Sequence, residues 1–267
     1  MTLVRTHLLT FVLLAMLPGV AWPQNPQAFV QRVVDVERSA NKADHSMWSY
    51  HEDLRKPKEH LVQWVASTPG GDVCRVVTKD EHTVSEADAA DSIQKFLRDS
   101  KAQKKEVAER EHDGKQVDDF LALLPAAFLW TETGTDGENT LMHFEPDPKF
   151  HPPTREARVF AAMAGDMTVN TRQLRIRSMK GHLMREVSFG GGLLGKLKEG
   201  GTFSLDQEEV GKANWQLTAT HVDIEGSALL FHSVSLRQDD VRSAFERESD
   251  SITLEQGVVV AMKRNFK

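Results

Sequence analysis

The sequence predicts an α+β protein built on an antiparallel sheet. Short runs rich in aromatic and β-branched residues are separated by turn residues, and in several of them apolar and polar residues alternate. Leu174 and Ile176 are interleaved with Arg175 and Arg177, and Trp215 and Leu217 with Gln216 and Thr218. Such strands bury one face and wet the other. Helical periodicity is confined to a few segments, and no strand–helix–strand alternation of the kind that builds a parallel sheet is present.

Taken in chain order, the first segment has Arg5 ahead of an apolar run at residues 8–17, then Pro18-Gly19, with Gly19 and Ala21 flanking Val20. It reads as a secretory signal peptide cut near Ala21, which makes residues 1–21 a leader and residues 22–267 a single domain. The apolar run is shorter than the ~20 residues that span a bilayer. No cysteine follows the cut, so no lipid attachment site is expected. Asn25 as N-cap and Pro26 at the first helical position start a helix that runs to about Asn41, with Phe29, Val30, Val33 and Val36 on one face. Three antiparallel strands follow at 47–54, 60–67 and 72–80.

Residues 86–112 read as a long helix whose first half packs through Ile93, Phe96 and Leu97 and whose charged second half projects into water. Asp113-Gly114 ends it, and a short helix follows until Pro125. Residues 126–133 and 139–145 form a hairpin across a Gly/Asp turn. Pro146, Pro148, Pro152 and Pro153 make residues 145–154 an extended connector and the best candidate for an internal boundary. A brief helix capped by Thr154 follows. Strands are then expected at 165–170, 173–183, 184–189, 201–210, 213–224, 227–238 and 241–248, with a closing helix at 253–263.

Composition narrows the function. The net charge of −6 becomes about −7 once Arg5 leaves with the leader, without long like-charge blocks, which argues against a nucleic-acid partner. No later stretch approaches ~18 uninterrupted apolar residues, so the mature chain is expected to be soluble. Cys74 is the single cysteine and sits in a β-branched run, where a free cysteine behaves as a small core hydrophobe. Stability must then come from packing, for which about 245 residues suffice.

The loudest motif is the glycine-rich stretch at 189–201. Gly190, Gly192 and Gly195 match the dinucleotide fingerprint, and Gly195-Lys196 matches a phosphate loop except that Leu197 replaces its Ser/Thr. Gly200-Gly201 leave no room for the helix whose N-terminus would hold phosphate, so no nucleotide is expected. Bulges or bends explain the glycines, with a helical turn carrying Leu193, Leu194 and Leu197 as an apolar plug or lip. The histidines lack metal-ligand spacing, and His182, His221 and His232 fall in strand segments, so neither metal nor other cofactor is expected. No Gly-x-Ser-x-Gly elbow occurs. The carboxylate pairs Asp118-Asp119, Glu208-Glu209 and Asp239-Asp240 lack calcium-loop spacing and read as solvated faces and turns. No catalytic residues emerge, and an enzyme is not expected. Trp48, Tyr50, Trp64, Trp130 and Trp215 all fall on strands, where they either line an apolar concavity or form ordinary core.

The stretch at 155–217, REARVFAAMAGDMTVNTRQLRIRSMKGHLMREVSFGGGLLGKLKEGGTFSLDQEEVGKANWQL, resembles a group of exported bacterial proteins. The likeness extends over about residues 25–265. That group is similar in layout to the outer-membrane lipoprotein-sorting family, the LolA/LolB-like periplasmic carriers. The resemblance implies an incomplete β-barrel, with helices on the concave side of a curved sheet. It also implies a periplasmic, monomeric protein that binds a lipoprotein or lipid through acyl chains, with transient membrane contact. At about 0.8 kcal/mol per buried methylene, two or three chains could be held without any catalytic group. The candidate lining residues are Trp48, Trp64, Trp130, Trp215, Leu193, Leu194 and Leu197. The long charged helix departs from the carrier layout. It also separates two functions: folded back over the sheet it serves as a lid, while hanging free it favours an envelope interaction or sensor protein that docks a partner on its sheet without a ligand cavity.

Overall fold

The computed structural model describes residues 25–189, 195–227 and 235–264. The first helix, α1 (Pro26–Ala43), starts as its sequence dictates: Asn25 accepts a hydrogen bond from the Gln27 amide at 3.0 Å, and proline occupies the first turn. Its buried stripe is Phe29, Val30, Val33, Val34 and Glu37, so Val34 and a carboxylate take the place expected for Val36. Three strands follow, β1 (Trp48–Lys56), β2 (Glu59–Ala66) and β3 (Val73–Lys79), with a two-residue edge strand β4 (His82–Thr83).

The helical stretch after them divides differently from the sequence expectation. One helix, α2 (Glu86–Arg98), ends at Asp99, and α3 (Ser100–Ala127) runs unbroken through Gly114 and past Pro125. Asp99 makes the break because its carboxylate caps α3, accepting from the amides of Lys101 and Ala102 at 3.0 Å each. Gly114 costs an exposed helix only about 1 kcal/mol, too little to interrupt it. Pro125 lies in the last turn, where side chains satisfy the free carbonyls: Trp130 donates to Leu124 O at 3.0 Å, and Gln27 of α1 donates to the carbonyls of Pro125 and Phe128.

The hairpin of β5 (Phe128–Asp136) and β6 (Asn139–Pro146) leads through the proline-rich connector to α4 (Arg155–Phe160), capped by Thr154. The strands β7 (Met163–Asn170), β8 (Arg175–Leu183), β9 (Val187–Phe189), β10 (Gly195–Leu197), β11 (Thr202–Gly211), β12 (Asn214–Ser227) and β13 (Ser235–Arg247) complete the sheet. Because β6 and β7 pair directly, the connector joins neighbours in one sheet. The chain closes with α5 (Leu254–Lys263), whose capping box joins Thr253 and Gln256.

All described strand pairs are antiparallel, in the order β4-β3-β2-β1-β13-β12-β11-β8-β7-β6-β5, with the small β9–β10 hairpin attached to β12. The sheet is curved and open, ending in β4 on one side and β5 on the other. Its N- and C-terminal strands, β1 and β13, meet in the middle. Register explains part of the curl. Gly165 of β7 lies opposite Gly181 of β8, and a Cβ on Gly181 would come 2.7 Å from the Phe203 ring and 3.1 Å from the Phe144 ring. Two facing glycines let the aromatic neighbours fold over the backbone.

Cross-strand partners share a face, so the register traces each surface. On the inner face, Phe128, Phe144, Met142, Met167, Met179 and Leu183 form the main core with α1, α4 and the end of α3. On the opposite face of β2 and β3, Ala66 and Val73 pack against α2 and α5 through Ile93 and Ala261. Helices therefore cover the inner face over β5–β8 and the outer face over β2–β3. Among the described residues no helix is long and apolar enough to cross a membrane.

Candidate functional site

The inner face changes character along the sheet. From β5 to β8 it is apolar, and Met142, Met167 and Met179 sit directly opposite one another on β6, β7 and β8, each about 1% exposed. Thioether side chains are flexible and polarisable, and here they fill the core between the sheet and α1. Towards β13 and β1 the same face becomes polar. Glu52 and Asp240, 6% and 5% exposed, flank Arg242, with Arg242 Nε 3.2 Å from Glu52 Oε1 and its terminal nitrogen 2.7 Å from Asp240 Oδ2. Gln63 donates to Glu52 at 2.6 Å, and the guanidinium lies over the Tyr50 ring.

Burial pushes the Glu52 carboxyl up, against the opposing pull of Arg242 and the Gln63 hydrogen bond. Burial alone disfavours a charged Arg242, but Tyr50, Asp240 and Glu52 outweigh it and hold the guanidinium protonated beyond its ordinary range. Burial also raises the Tyr50 hydroxyl and the Cys74 thiol well above their usual values. Cys74 is a free thiol without the electropositive surroundings that make a thiolate nucleophile. The cluster ties β1 to β13 and presents a charged border to the apolar half.

Alongside α1 runs α3, which meets the sheet at β5 and at the turn between β2 and β3. Its buried residues are Leu121, Leu124 and Ala127, all in its last turns, so most of its length is held by polar contacts. Arg38 of α1 grips Asp118 in a two-pronged pair at 2.7 and 2.8 Å. At the other end Arg110 donates to Thr68 O at 3.1 Å and lies 3.2 Å from Asp72, while Glu106 accepts the Asp72 amide at 2.5 Å. The charged helix is folded back and tied at both ends.

The expected lining residues separate. Trp48, Trp130 and Trp215 are buried in the inner face: Trp48 under the Phe245 ring, Trp130 against Phe128 and Phe144, and Trp215 under Arg175 and bonded to Gln173 at 2.7 Å. Trp64 is equally buried but points to the other face, beneath the Arg264 guanidinium and beside His51. Leu197 lies in the main core, 7% exposed, on a short strand rather than the expected helical turn. Leu193 and Leu194 lie outside the described residues, as does His232. Lys196, the lysine of the near phosphate loop, pairs with Glu186 at 2.9 Å.

Asp240 corrects the expectation that Asp239-Asp240 is a solvated pair. Strand alternation turns Asp239 outward to His221 and Asp240 inward to Arg242. Sequence reasoning also missed Glu52 and Gln63. The alternation Trp48, Tyr50, Glu52 was the available signal, since it sets Glu52 on the buried face. Among the described residues no group of three or more His, Cys, Asp or Glu side chains could hold a metal ion.

On the uncovered outer face, the register row Thr168, Ser178, Asp206, Ala219, Val241 crosses five strands. Bulges at Glu132/Gly134, Thr168/Val169, Asp206/Gln207 and Val62/Gln63 adjoin that row or its continuation, and the bulge at Ser49/His51 lies two residues from it. Bulges bend the strands that carry them, and their alignment creases the sheet. The crease holds a groove of about 790 Å³ and a neighbour of about 590 Å³, which share Thr168, Ser178 and Asp206.

No family model matches the chain, and no curated protein matches it either.

Proposed function

We propose that the protein is a non-enzymatic envelope carrier that binds a hydrophobic ligand, acyl chains of a lipid or lipoprotein, on the inner face of its sheet beneath α1 and α3. Export by the leader at residues 1–21 and work in the periplasm belong to the same proposal. The observation that carries it is the position of the charged helix: α3 is folded back and tied at both ends, as a lid is, with nothing buried before Leu121. Beneath α1, against which α3 packs, lies an apolar surface with methionines at its centre.

The energies are compatible with exchange. Lifting α1 uncovers Phe29, Val30, Val33 and Val34, about 6–12 kcal/mol at roughly 1.5–3 kcal/mol per side chain. An acyl chain of about 15 methylenes recovers about 12 kcal/mol in their place.

Native mass spectrometry of the mature protein purified from its own envelope, with organic extraction, tests this. The expected result is a co-purifying lipid or acylated species and saturable binding of a fluorescent fatty acid. Finding neither refutes the carrier. The creased outer face supports a second function, docking of a partner protein on the sheet, and partner capture with no bound lipid would favour it.

A further inference from the structure

The β11–β12 hairpin belongs to the large sheet along only half of its length. β11 pairs with β8 from Thr202↔His182 to Asp206↔Ser178, and β12 pairs with β13 from Glu225↔Ser235 to Ala219↔Val241. Past a bulge between Asp206 and Gln207, the two strands continue from Gln207↔Leu217 to Gly211↔Asn214 with each other as their strand partners. Bulged strands bend, and this tip leans to the inner face. There the Trp215 indole donates to Gln173 at 2.7 Å, the Gln216 amide donates to Asp44 at 3.3 Å, and Val210 packs with Trp48 and Tyr50.

On the outer face the departing tip leaves the groove of about 790 Å³, within the ~300–1,000 Å³ of ligand sites. The hairpin floors it through residues 206–210, Thr218 and Ala219; β13 forms one wall through residues 241–245, and Arg177 and Ser178 stand opposite. Past Val241, β13 pairs with β1 through Arg242↔Glu52, Ser243↔His51, Glu246↔Ser49 and Arg247↔Trp48. On its other side residues 242–247 have no strand partner among the described residues. Such an edge keeps a row of backbone N–H and C=O groups open to another chain. The two ends of the sheet are guarded against that: β4 has two residues, and β5 carries Glu132 and Asp136. Along the groove wall, Ser243-Ala244-Phe245 carries neither charge nor proline, and Ser243 and Ala244 are exposed.

We propose that this groove is a docking slot for an extended, basic segment of a partner protein, which adds as a strand to the free edge of β13.

The free edge selects the shape of the occupant. A compact small molecule would leave most of those backbone groups unpaired, whereas a strand meets them in sequence. Residues 242–247 offer room for about six residues, roughly 20 Å at about 3.3 Å per residue. The floor selects the charge. Asp206 and Glu208 are exposed there, and their carboxylates have no partner among the described residues. Arg242 on the wall is already committed to Glu52 and Asp240, which leaves Arg177 as the cation facing them. Asp206 and Glu208 are two residues apart on one strand, so they match lysine or arginine side chains spaced two apart on an added strand. The slot rests on the reading of the outer face as a docking surface and is independent of what the inner face carries.

Selection of displayed random peptides of about ten residues against the mature protein tests the slot. Enriched peptides are expected to carry basic residues two apart. As labelled synthetic peptides they should lose affinity tenfold or more in Ala219→Trp, which fills the floor. Ser243→Trp, at an exposed position on the wall, should do the same and serves if the first variant misfolds. Because only alternate residues of an added strand bond to the edge, N-methylation of every second peptide amide should weaken binding tenfold or more in one register and leave it within about twofold in the other. Failure to enrich any peptide, or binding indifferent to both variants, overturns the slot and the outer-face docking reading with it. Binding that is lost in the variants but indifferent to N-methylation in both registers overturns strand addition and leaves the docking surface standing. Fatty-acid binding is measured separately, so the carrier proposal stands or falls by itself.

Discussion

Replacing Glu37 by leucine tests how firmly α1 is held over the sheet. Glu37 is 1% exposed, and its carboxylate accepts the Ile176 amide at 2.6 Å and pairs with the Arg175 guanidinium at 3.0 Å. The Arg175 side chain is itself only 8% exposed, and its Nε has no hydrogen-bond partner among the described residues. Glu37→Leu leaves a buried guanidinium with, among the described residues, the Trp215 ring for compensation, and orphans the Ile176 amide. Breaking such a pair from one side costs about 3–5 kcal/mol. For a chain of this size, about 2–4 °C per kcal/mol puts the fall in melting temperature at about 6–20 °C. Thermal melts followed by circular dichroism measure that fall, and urea denaturation followed by tryptophan fluorescence measures the loss in free energy. Adding Arg175→Met should restore most of the loss, because an apolar pair of similar volume avoids desolvation altogether. A single-variant loss below about 1 kcal/mol, or a double variant no better than the single, would refute a dry, tightly held clamp between α1 and β8.

Three further outcomes follow from the geometry. A Cβ at Gly165 would fall 1.9 Å from Lys180 O, so Gly165→Ala should destabilise by about 3 kcal/mol or more through forced strand separation; a near-neutral thermal melt would show that the curl at β7–β8 does not depend on it. His60 is raised above its usual 6.5, chiefly by its hydrogen bond to Glu81 and, against burial, by Asp53. Its contribution is therefore fully present below 6.5 and lost as pH rises through the raised value, and His60→Gln should flatten that part of the stability–pH profile in parallel urea melts. Ala219→Trp fills the outer groove and should leave fluorescent fatty-acid affinity within about twofold, whereas a tenfold loss would move the ligand site to the outer face.

Elements with strong local rules were legible. The start of α1, the Thr154 cap, the closing helix and the β5–β6 hairpin formed where expected, because capping and period-two patterning act within a few residues. The division of the long helical stretch was not legible. Gly114 carries a propensity penalty that an exposed helix absorbs, while Asp99 breaks the run through a local cap on the Lys101 and Ala102 amides that the helical pattern on either side of it masks. Residues 227–238 and 241–248 read as two strands; residues 228–234 lie outside the described residues, and from Ser235 to Arg247 β13 runs unbroken through Asp239-Asp240, since pairing with β1 and β12 on both sides outweighs their weak strand preference.

Local patterning by itself determined an antiparallel α+β protein, with Cys74 on a strand and the glycine stretch at 189–201 lacking the helix a phosphate site requires. Only the tertiary structure decided which tryptophans share a face, where α3 lies, and that Glu52, Asp240 and Arg242 meet, with Asp72 and Glu106 close by. The reason is physical. Periodicity reports that a strand has two faces, but the face that becomes the inside depends on register with strands far away in sequence, such as β1 against β13. A charged helix carries no apolar stripe to say what it covers; Arg38, Glu106 and Arg110 fix its place through single long-range contacts that leave no periodic trace.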